Sequence, residues 1–369
     1  MQKEDYMRRA LELAEMGMGY TSPNPMVGCV VVKDGRIISE GYHERYGEFH
    51  AERNALTRCK EDCTGADLYV TLEPCCHYGK TPPCTEIIID KKIGRVFIGS
   101  MDSNPLVAGR GVQILREHGI KVETGILEEE CLKLNEVFYH FIQTKKPFVV
   151  MKYAMTLDGK IACESGDSKW VTGEASRMEV QRMRRRYKGI MVGIGTVIAD
   201  NPMLNCRIEE GVDPVRIICD SMLRIPMDCN IVRTAKDIQT IVACSSKTFN
   251  DSEKRKKKRE LEDAGIEVIS TQNTKQIDLE ELMDILGAKK IDSVLLEGGG
   301  TLNSSALQAG IVNKVYAFIA GKLVGGKDAK SPVEGDGIKK MSDAVELENI
   351  EILKIKKDIC ICGYPKKPE

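Results

Sequence analysis

Apolar and polar positions along this chain fall into two registers, one helical and one alternating, and the switches between them mark its elements. MQKEDYMRRALELAEMG spaces its apolar residues as an amphipathic helix, with Glu4, Asp5, Glu12 and Glu15 on the polar side. MVGCVVV (26–32) reads as a buried strand, KDGR (33–36) supplies an Asp-Gly turn, and IISEGYH returns as its partner. The spacing is helical from His50 to about Cys63, ADLYVTLEP and RVFIGS are strands, and Thr85–Lys91 is a short helix between them. GVQILREHG is a helix closing at Gly119. One further helix runs from Leu127 to about Thr144, opened by Glu128, Glu129 and Glu130, where the helix dipole favours acidic side chains.

At KKPF (145–148) the helical register stops at a proline and a new apolar strand, FVVMKYAM, begins, so a domain boundary is placed there. Beyond it GIMVGIG, VRIICD, IQTIVACSS, IEVIS, DSVLLEGGG and VYAFIAG are strands. They alternate with helical stretches near 174–187, 252–264, 279–288 and 301–309, the signature of an α/β sheet flanked by helices. The tail EILKIKKDICICGY alternates with period two and predicts an antiparallel closing hairpin at a sheet edge. With 369 residues, and roughly 100–200 per domain, two domains are expected: 1–145 and 148–363.

Composition narrows the class. A hydrophobic share of 42% and a charged share of 30% fit a globular chain, and the formal net charge of −1 argues against a polyanion-binding surface. The dense run SEKRKKKRE (252–260) has no interleaved aromatic residue and reads as a solvated helix face, so no nucleic-acid partner is expected. No apolar run reaches the roughly 18 residues of a membrane helix, and the N-terminal stretch lacks a signal-peptide core. A cytoplasmic homo-oligomer without a membrane partner is expected. The 14 cysteines then read as reduced thiols, with Cys29, Cys219, Cys244, Cys360 and Cys362 serving as small hydrophobes. Cys75, Cys76 and Cys84 differ, because they lie in a Pro/Gly-rich loop.

Those loop cysteines join the strongest chemical signal: His50-Ala51-Glu52, then Pro74-Cys75, then Cys84. A zinc deaminase needs three soft or borderline protein ligands that leave the fourth metal position open to water. It also needs a nearby carboxylate, not itself a ligand, to carry protons. His50, Cys75 and Cys84 supply the ligands, and Glu52 supplies the carboxylate. Cys84 precedes a helix, whose N-terminus favours thiolate. The interval from Cys75 to Cys84 holds eight residues, against two in the common deaminase pattern. Cys76 is read as a non-ligand, since adjacent cysteines rarely point at one metal.

TSPNPMVGCVVVKDG, GYHERYGEFHAE, TLEPCCHYGKTPPC and DSNPLVAGRG, in this order, resemble the pyrimidine deaminase domain of the bifunctional riboflavin biosynthesis (RibD) family across the first 145 residues. The resemblance implies a cytidine-deaminase-like three-layer α/β/α domain with zinc on His50, Cys75 and Cys84, and Glu52 as proton shuttle. It further implies that Asn24, His43, His77 and Lys80 line the pocket for a small-molecule pyrimidine ribotide. Lys80 suits a ribose phosphate and Asn24 a pyrimidine edge.

The second half has no G-x-G-x-x-G after its first strand, but LLEGGGTLNSSAL (295–307) ends a strand in three glycines that open a Thr/Ser-rich helix. Such a turn can cradle a pyrophosphate, or can simply be a tight strand–helix connection. With MTLDGKIA, SGDSKWVT and VGIGTVIADNPMLNCR it resembles the reductase domain of the same family over about 148–363, which implies a dihydrofolate-reductase-like α/β fold. The resemblance implies NADPH contacts at Ala154, Trp170, Thr196, Asp200 and Ser221, and along Gly299, Gly300, Thr301, Leu302, Asn303, Ser304 and Ser305. It implies substrate contacts at Ser168, Arg184, Leu204, Arg207 and Glu297. Arg184 and Arg207 suit a phosphate, which a guanidinium grips with two parallel hydrogen bonds. A cytidine or tRNA-adenosine deaminase with an accessory domain would instead require a short cysteine spacing and no NADPH site. A purely structural zinc would require a fourth protein ligand.

Overall fold

The computed structural model describes residues 2–104, 107–272 and 276–366, so Pro105 and Leu106 of the DSNPLVAGRG motif lie outside it. Two compact units divide the chain, residues 1–145 and 146–369.

In the first unit the strands are β1 (Gly28–Lys33), β2 (Arg36–Tyr42), β3 (Asp67–Leu72), β4 (Arg95–Ser100) and β5 (Lys121–Thr124). The helices are α1 (Lys3–Glu15), α2 (Ala51–Arg58), α3 (Cys84–Asp90), α4 (Arg110–Glu117), α5 (Glu128–Leu134) and α6 (Glu136–Thr144). The sheet order is β2-β1-β3-β4-β5, with β1 antiparallel to both β2 and β3 and the remaining pairs parallel. Side chains alternate cleanly between its faces: Cys29, Val31, Leu68, Val70, Val96 and Ile98 face one core, whereas Val30, Val32, Tyr69 and Phe97 face the other. Both faces are covered, which is why MVGCVVV reads as a continuous apolar run rather than an alternating one. The helix carrying the His-x-Glu motif packs hard on the sheet: a Cβ at Gly41 would come within 2.4 Å of the Ala55 backbone nitrogen, so glycine permits the approach of α2 to β2.

One expectation fails here in an instructive way. The single helix expected over 127–144 is two, α5 and α6, broken at Asn135 (φ −105°, ψ 22°). Asn135 is buried, and its side-chain amide clamps the Met26 backbone, accepting from Met26 N and donating to Met26 O, both at 2.9 Å. That tertiary bond overrides the helical register. The helix expected from His50 to about Cys63 ends at Arg58, with Cys59 already extended. The edge strand β5 and, in the second unit, the short helices at Ile194–Asp200 and Asn230–Arg233 had no expectation in the sequence.

In the second unit the strands are β6 (Phe148–Thr156), β7 (Gly189–Gly193), β8 (Val215–Cys219), β9 (Thr240–Ser245), β10 (Ile266–Thr271), β11 (Ser293–Leu296), β12 (Val312–Ala320), β13 (Leu347–Ile355) and β14 (Asp358–Pro365). The helices are α7 (Glu174–Arg186), α8 (Ile194–Asp200), α9 (Asn230–Arg233), α10 (Ser252–Asp263), α11 (Leu279–Ala288) and α12 (Gly300–Gln308). The order is β10-β9-β8-β7-β11-β6-β12-β14-β13, parallel until β14 and β13, which close the edge as the expected antiparallel hairpin. Met191, Ile217 and Ile241 face one core; Ile190, Ile218 and Val242 face the other. No cysteine forms a disulfide, and among the described residues no helix is long and apolar enough to cross a membrane.

Candidate active sites

The first site forms where α2 and α3 begin. His50 is the N-cap of α2, Cys84 is the first residue of α3, and Cys75 lies in the loop after β3. The His50 Nδ1 is 3.4 Å from Cys75 Sγ and 3.6 Å from Cys84 Sγ, and the three donor atoms all lie within 4.8 Å of one another. Among the described residues neither Cys76 nor His77 nor any carboxylate joins that group. The donor chemistry fits zinc. The two thiols lie against each other and His50, and this contact holds the Cys75 thiol well below its ordinary range while it and burial push Cys84 up. A zinc ion would take both sulfurs as thiolates together with the imidazole, the donor set of a zinc site that keeps a place for water.

Glu52 stands in the first turn of α2, is 3% exposed and lines the adjoining cavity of about 240 Å³. Burial raises its carboxyl to about 7, helped by the charge of Cys75. The same cavity is lined by Asn24, His43, His77 and Lys80, so it collects all the pocket residues expected in this half. His43 Nδ1 meets the Phe49 carbonyl at 3.0 Å, and its Nε2 meets Asn24 Nδ2 at 3.2 Å. Burial lowers His43 to about 4, so the ring is neutral, donates from Nδ1 and accepts from Asn24, which sets the orientation of that amide. His77 Nδ1 is buried without a partner among the described residues. Lys80 holds its ammonium 4.0 Å above the ring of Tyr46.

Tyr46, Glu73, Asp102 and Asn104 also line the cavity, and sequence reasoning gave them no role. Asp102 and Asn104 sit in DSNPLVAGRG, but a lone Asp or Asn in a loop carries no signal of its own. Burial raises the Asp102 carboxyl to about 6.

The second cavity, about 270 Å³, opens along the carboxyl ends of β6 and β11. Ala154, Ser168, Trp170 and Arg207 line it, as do Arg184 and Glu297 and, from the glycine turn, Gly299, Gly300 and Asn303. Thr196 adjoins through its Oγ1, which accepts from Gly299 N at 3.4 Å. Thr301, Leu302, Ser304 and Ser305 continue into α12, outside the lining, as do Asp200 at the exposed end of α8 and Ser221 after β8. Leu204 is buried in the core at φ +50°. Trp170 is 57% exposed at the rim, with the Arg177 guanidinium 4.7 Å from its ring centroid.

Arg184 meets Glu297 with two parallel bonds, Nε to Oε1 at 2.7 Å and Nη2 to Oε2 at 2.9 Å, and donates from Nη1 to Asn205 O. The paired geometry expected for a phosphate is therefore taken by a carboxylate, while Arg207 keeps its side chain exposed at the cavity. Lys152 completes a buried triad, 3.5 Å from Glu297. A lysine inside the apolar run FVVMKYAM was the signal that could have found it. Burial alone would raise the Glu297 carboxyl, but the charges of Arg184 and Lys152 overcome it and hold it at about 2. The triad therefore stabilises the fold above the ordinary carboxylate range near 4.3, and that contribution fades as pH falls from there towards 2. Glu297→Gln should cost about 3 kcal/mol at neutral pH, because two cations stay buried without their counter-charge. Urea unfolding at neutral pH and at about pH 3 checks this, with a smaller gap between wild type and variant expected in acid.

Together the sites define a zinc-type deaminase joined to a second α/β unit with its own glycine-lined ligand cavity. Residues 1–100 match the family model for the cytidine and deoxycytidylate deaminase zinc-binding region, and residues 147–361 match the model for the RibD C-terminal domain. The chain is 56% identical to riboflavin biosynthesis protein RibD of Actinobacillus pleuropneumoniae over 93% of this chain and 90% of that one. It is 44% identical to the RibD of Bacillus amyloliquefaciens, over 99% and 96%. Its fold matches a crystal structure of a diaminohydroxyphosphoribosylaminopyrimidine deaminase/5-amino-6-(5-phosphoribosylamino)uracil reductase from Thermotoga maritima with TM-score 0.84, 39% identity and 98% of each chain covered. The chain belongs to the RibD family, the bifunctional deaminase and reductase enzymes of riboflavin biosynthesis.

Proposed function

We propose that the first unit hydrolytically deaminates 2,5-diamino-6-(5-phosphoribosylamino)pyrimidin-4-one, and that the second reduces the ribosyl side chain of the product with NADPH to give 5-amino-6-(5-phosphoribitylamino)uracil. The observation that carries the first step is a three-donor metal cluster facing a cavity with a buried carboxyl that is not part of the cluster. His50, Cys75 and Cys84 hold the zinc, whose Lewis acidity makes water nucleophilic near neutral pH. Glu52 takes the water's proton, delivers it to the ring nitrogen beside the reacting carbon, and then serves the departing amine, so that one water enters and one ammonia leaves. Neutral His43 fixes Asn24 against the pyrimidine edge, Asp102 and Asn104 offer acceptors to its amino groups, and Lys80 with His77 faces the ribose phosphate.

In the second unit Ala154, Trp170, Thr196, Asp200, Ser221 and the run Gly299 to Ser305 would hold NADPH, which would supply the hydride that reduces C1 of the sugar. Ser168, Arg184, Leu204, Arg207 and Glu297 contact the substrate in this reading, with the exposed guanidinium of Arg207 available to its phosphate. The protein's work is to position the two reactants and exclude competing water. The exposed edge strand β13, with Ile350, Ile352 and Leu353 facing solvent, supports assembly into a homo-oligomer.

The test supplies the diaminopyrimidine ribotide with and without NADPH. Ammonia is expected in both arms and the ribityl product only with NADPH, while cytidine should release no ammonia. Ribityl product without reduced cofactor, or deamination of cytidine at a comparable rate, would overturn the assignment.

A further inference from the structure

Glu73 directly follows β3, on the way to the metal loop, and its backbone nitrogen donates to Ser100 O at 3.0 Å. Its side chain is 3% exposed, and its carboxylate is enclosed by backbone donors from a distant segment. Oε2 accepts from Asp102 N at 3.3 Å and Gly109 N at 3.0 Å, and Oε1 accepts from Val112 N at 3.2 Å. Two of these donors belong to the start of α4, whose N-cap, Gly109, sits at φ +85° and has no side chain to cap with. Glu73 therefore supplies the anionic cap from the segment after β3, where a carboxylate both satisfies free N–H groups and meets the positive end of the helix dipole. The two segments are also in backbone contact: a Cβ on Gly111 would lie 2.2 Å from Pro74 O, so only glycine allows the approach. Pro74 immediately precedes the metal-ligand candidate Cys75, and Cys75, Asp102 and Asn104 all line the cavity.

We propose that Glu73 is a positioning residue for deamination: its carboxylate locks Asp102 and the start of α4 onto the Pro74–Cys75 loop and so fixes the distance between the metal donors and the polar groups that hold the pyrimidine. This inference rests on the deaminase reading above. A carboxylate is required because all three partners donate; a carboxamide turns two of its own N–H groups towards them and leaves at least one backbone N–H unpaired. Displacement of those polar groups by a fraction of an ångström changes how the ring is presented without changing the metal donors, and misplacement of about 1 Å can cost on the order of 100-fold in rate.

The test compares wild type with Glu73→Gln and Gly111→Ala in the full-length zinc-loaded enzyme, reading deamination kinetics, zinc content, reduction of the deaminated ribotide, and hydrogen exchange. Glu73→Gln should lower kcat/KM for deamination about 10- to 100-fold, mainly through KM. Zinc should stay at the wild-type level, reductase activity should be unchanged, and amide exchange should accelerate at Asp102 and over 107–117 but not elsewhere in the first unit. Gly111→Ala strains the same junction from the other side and should give the same pattern; it stands in if the first variant does not fold. Unchanged deamination kinetics in both variants would overturn the proposal, as would an activity loss that tracks zinc loss. Failure of the wild type to release ammonia would instead overturn the deaminase reading, while the exchange result would still report on the clamp.

Discussion

Glu52→Gln should bind zinc as wild type does and lose deamination by about 10³-fold, near the middle of the range that a positioned acid–base group contributes. Glutamine matches glutamate in size and can still accept a hydrogen bond, so α2 and the metal cluster should survive the exchange. What it cannot do is hold a proton and release it. His43, the ring beside His50, cannot stand in for it, because that imidazole is held neutral and engaged on both nitrogens. Ammonia release beside metal analysis checks this, and a fully active, zinc-replete variant would remove Glu52 from the mechanism. The reductase reaction should be untouched, since its residues lie in the separate unit 146–369.

Cys75→Ser should have the second large effect, through the metal rather than the proton. A serine hydroxyl is a harder donor that stays protonated where a thiol ionises, whereas the contacts with Cys84 and His50 favour the thiolate form of Cys75. Loss of a direct ligand should weaken zinc by more than the 10–100-fold that loss of an outer-shell partner costs. Deamination falls with occupancy, and heating should show the first unit unfolding earlier, because metal binding energy is also folding energy. Competition against a chelator measures the affinity. Wild-type affinity in Cys75→Ser would mean that the cluster does not hold the ion through this sulfur.

How much of this was readable beforehand depends on the physical signal each feature leaves. His50, Glu52, Cys75 and Cys84 stand at strand–helix junctions, where spacing along the chain translates directly into proximity, so the metal cluster was legible from the sequence. The β13–β14 hairpin was legible for a similar reason, since period-two alternation is local. Asn135 was not: it interrupts a good helical register only because its amide finds Met26, 109 positions away in the chain. Glu73, Asp102 and Lys152 were missed because a charged residue next to a strand is usually solvated. What marks these three is burial among partners that only the fold brings near. Arg184 lines the cavity as its residue type suggested, but its pairing with Glu297 left no local signal, because the two are 113 positions apart in the chain.

The central claim is a metal held by three protein atoms with a fourth position left to solvent beside Glu52. X-ray absorption at the zinc edge on the substrate-free enzyme tests it most directly. The expected first shell is two sulfurs near 2.3 Å, one imidazole nitrogen and one light atom from water, each near 2.0 Å. Four protein donors, for instance a third sulfur from Cys76 or a second imidazole from His77, would contradict it and leave no place for the reacting water.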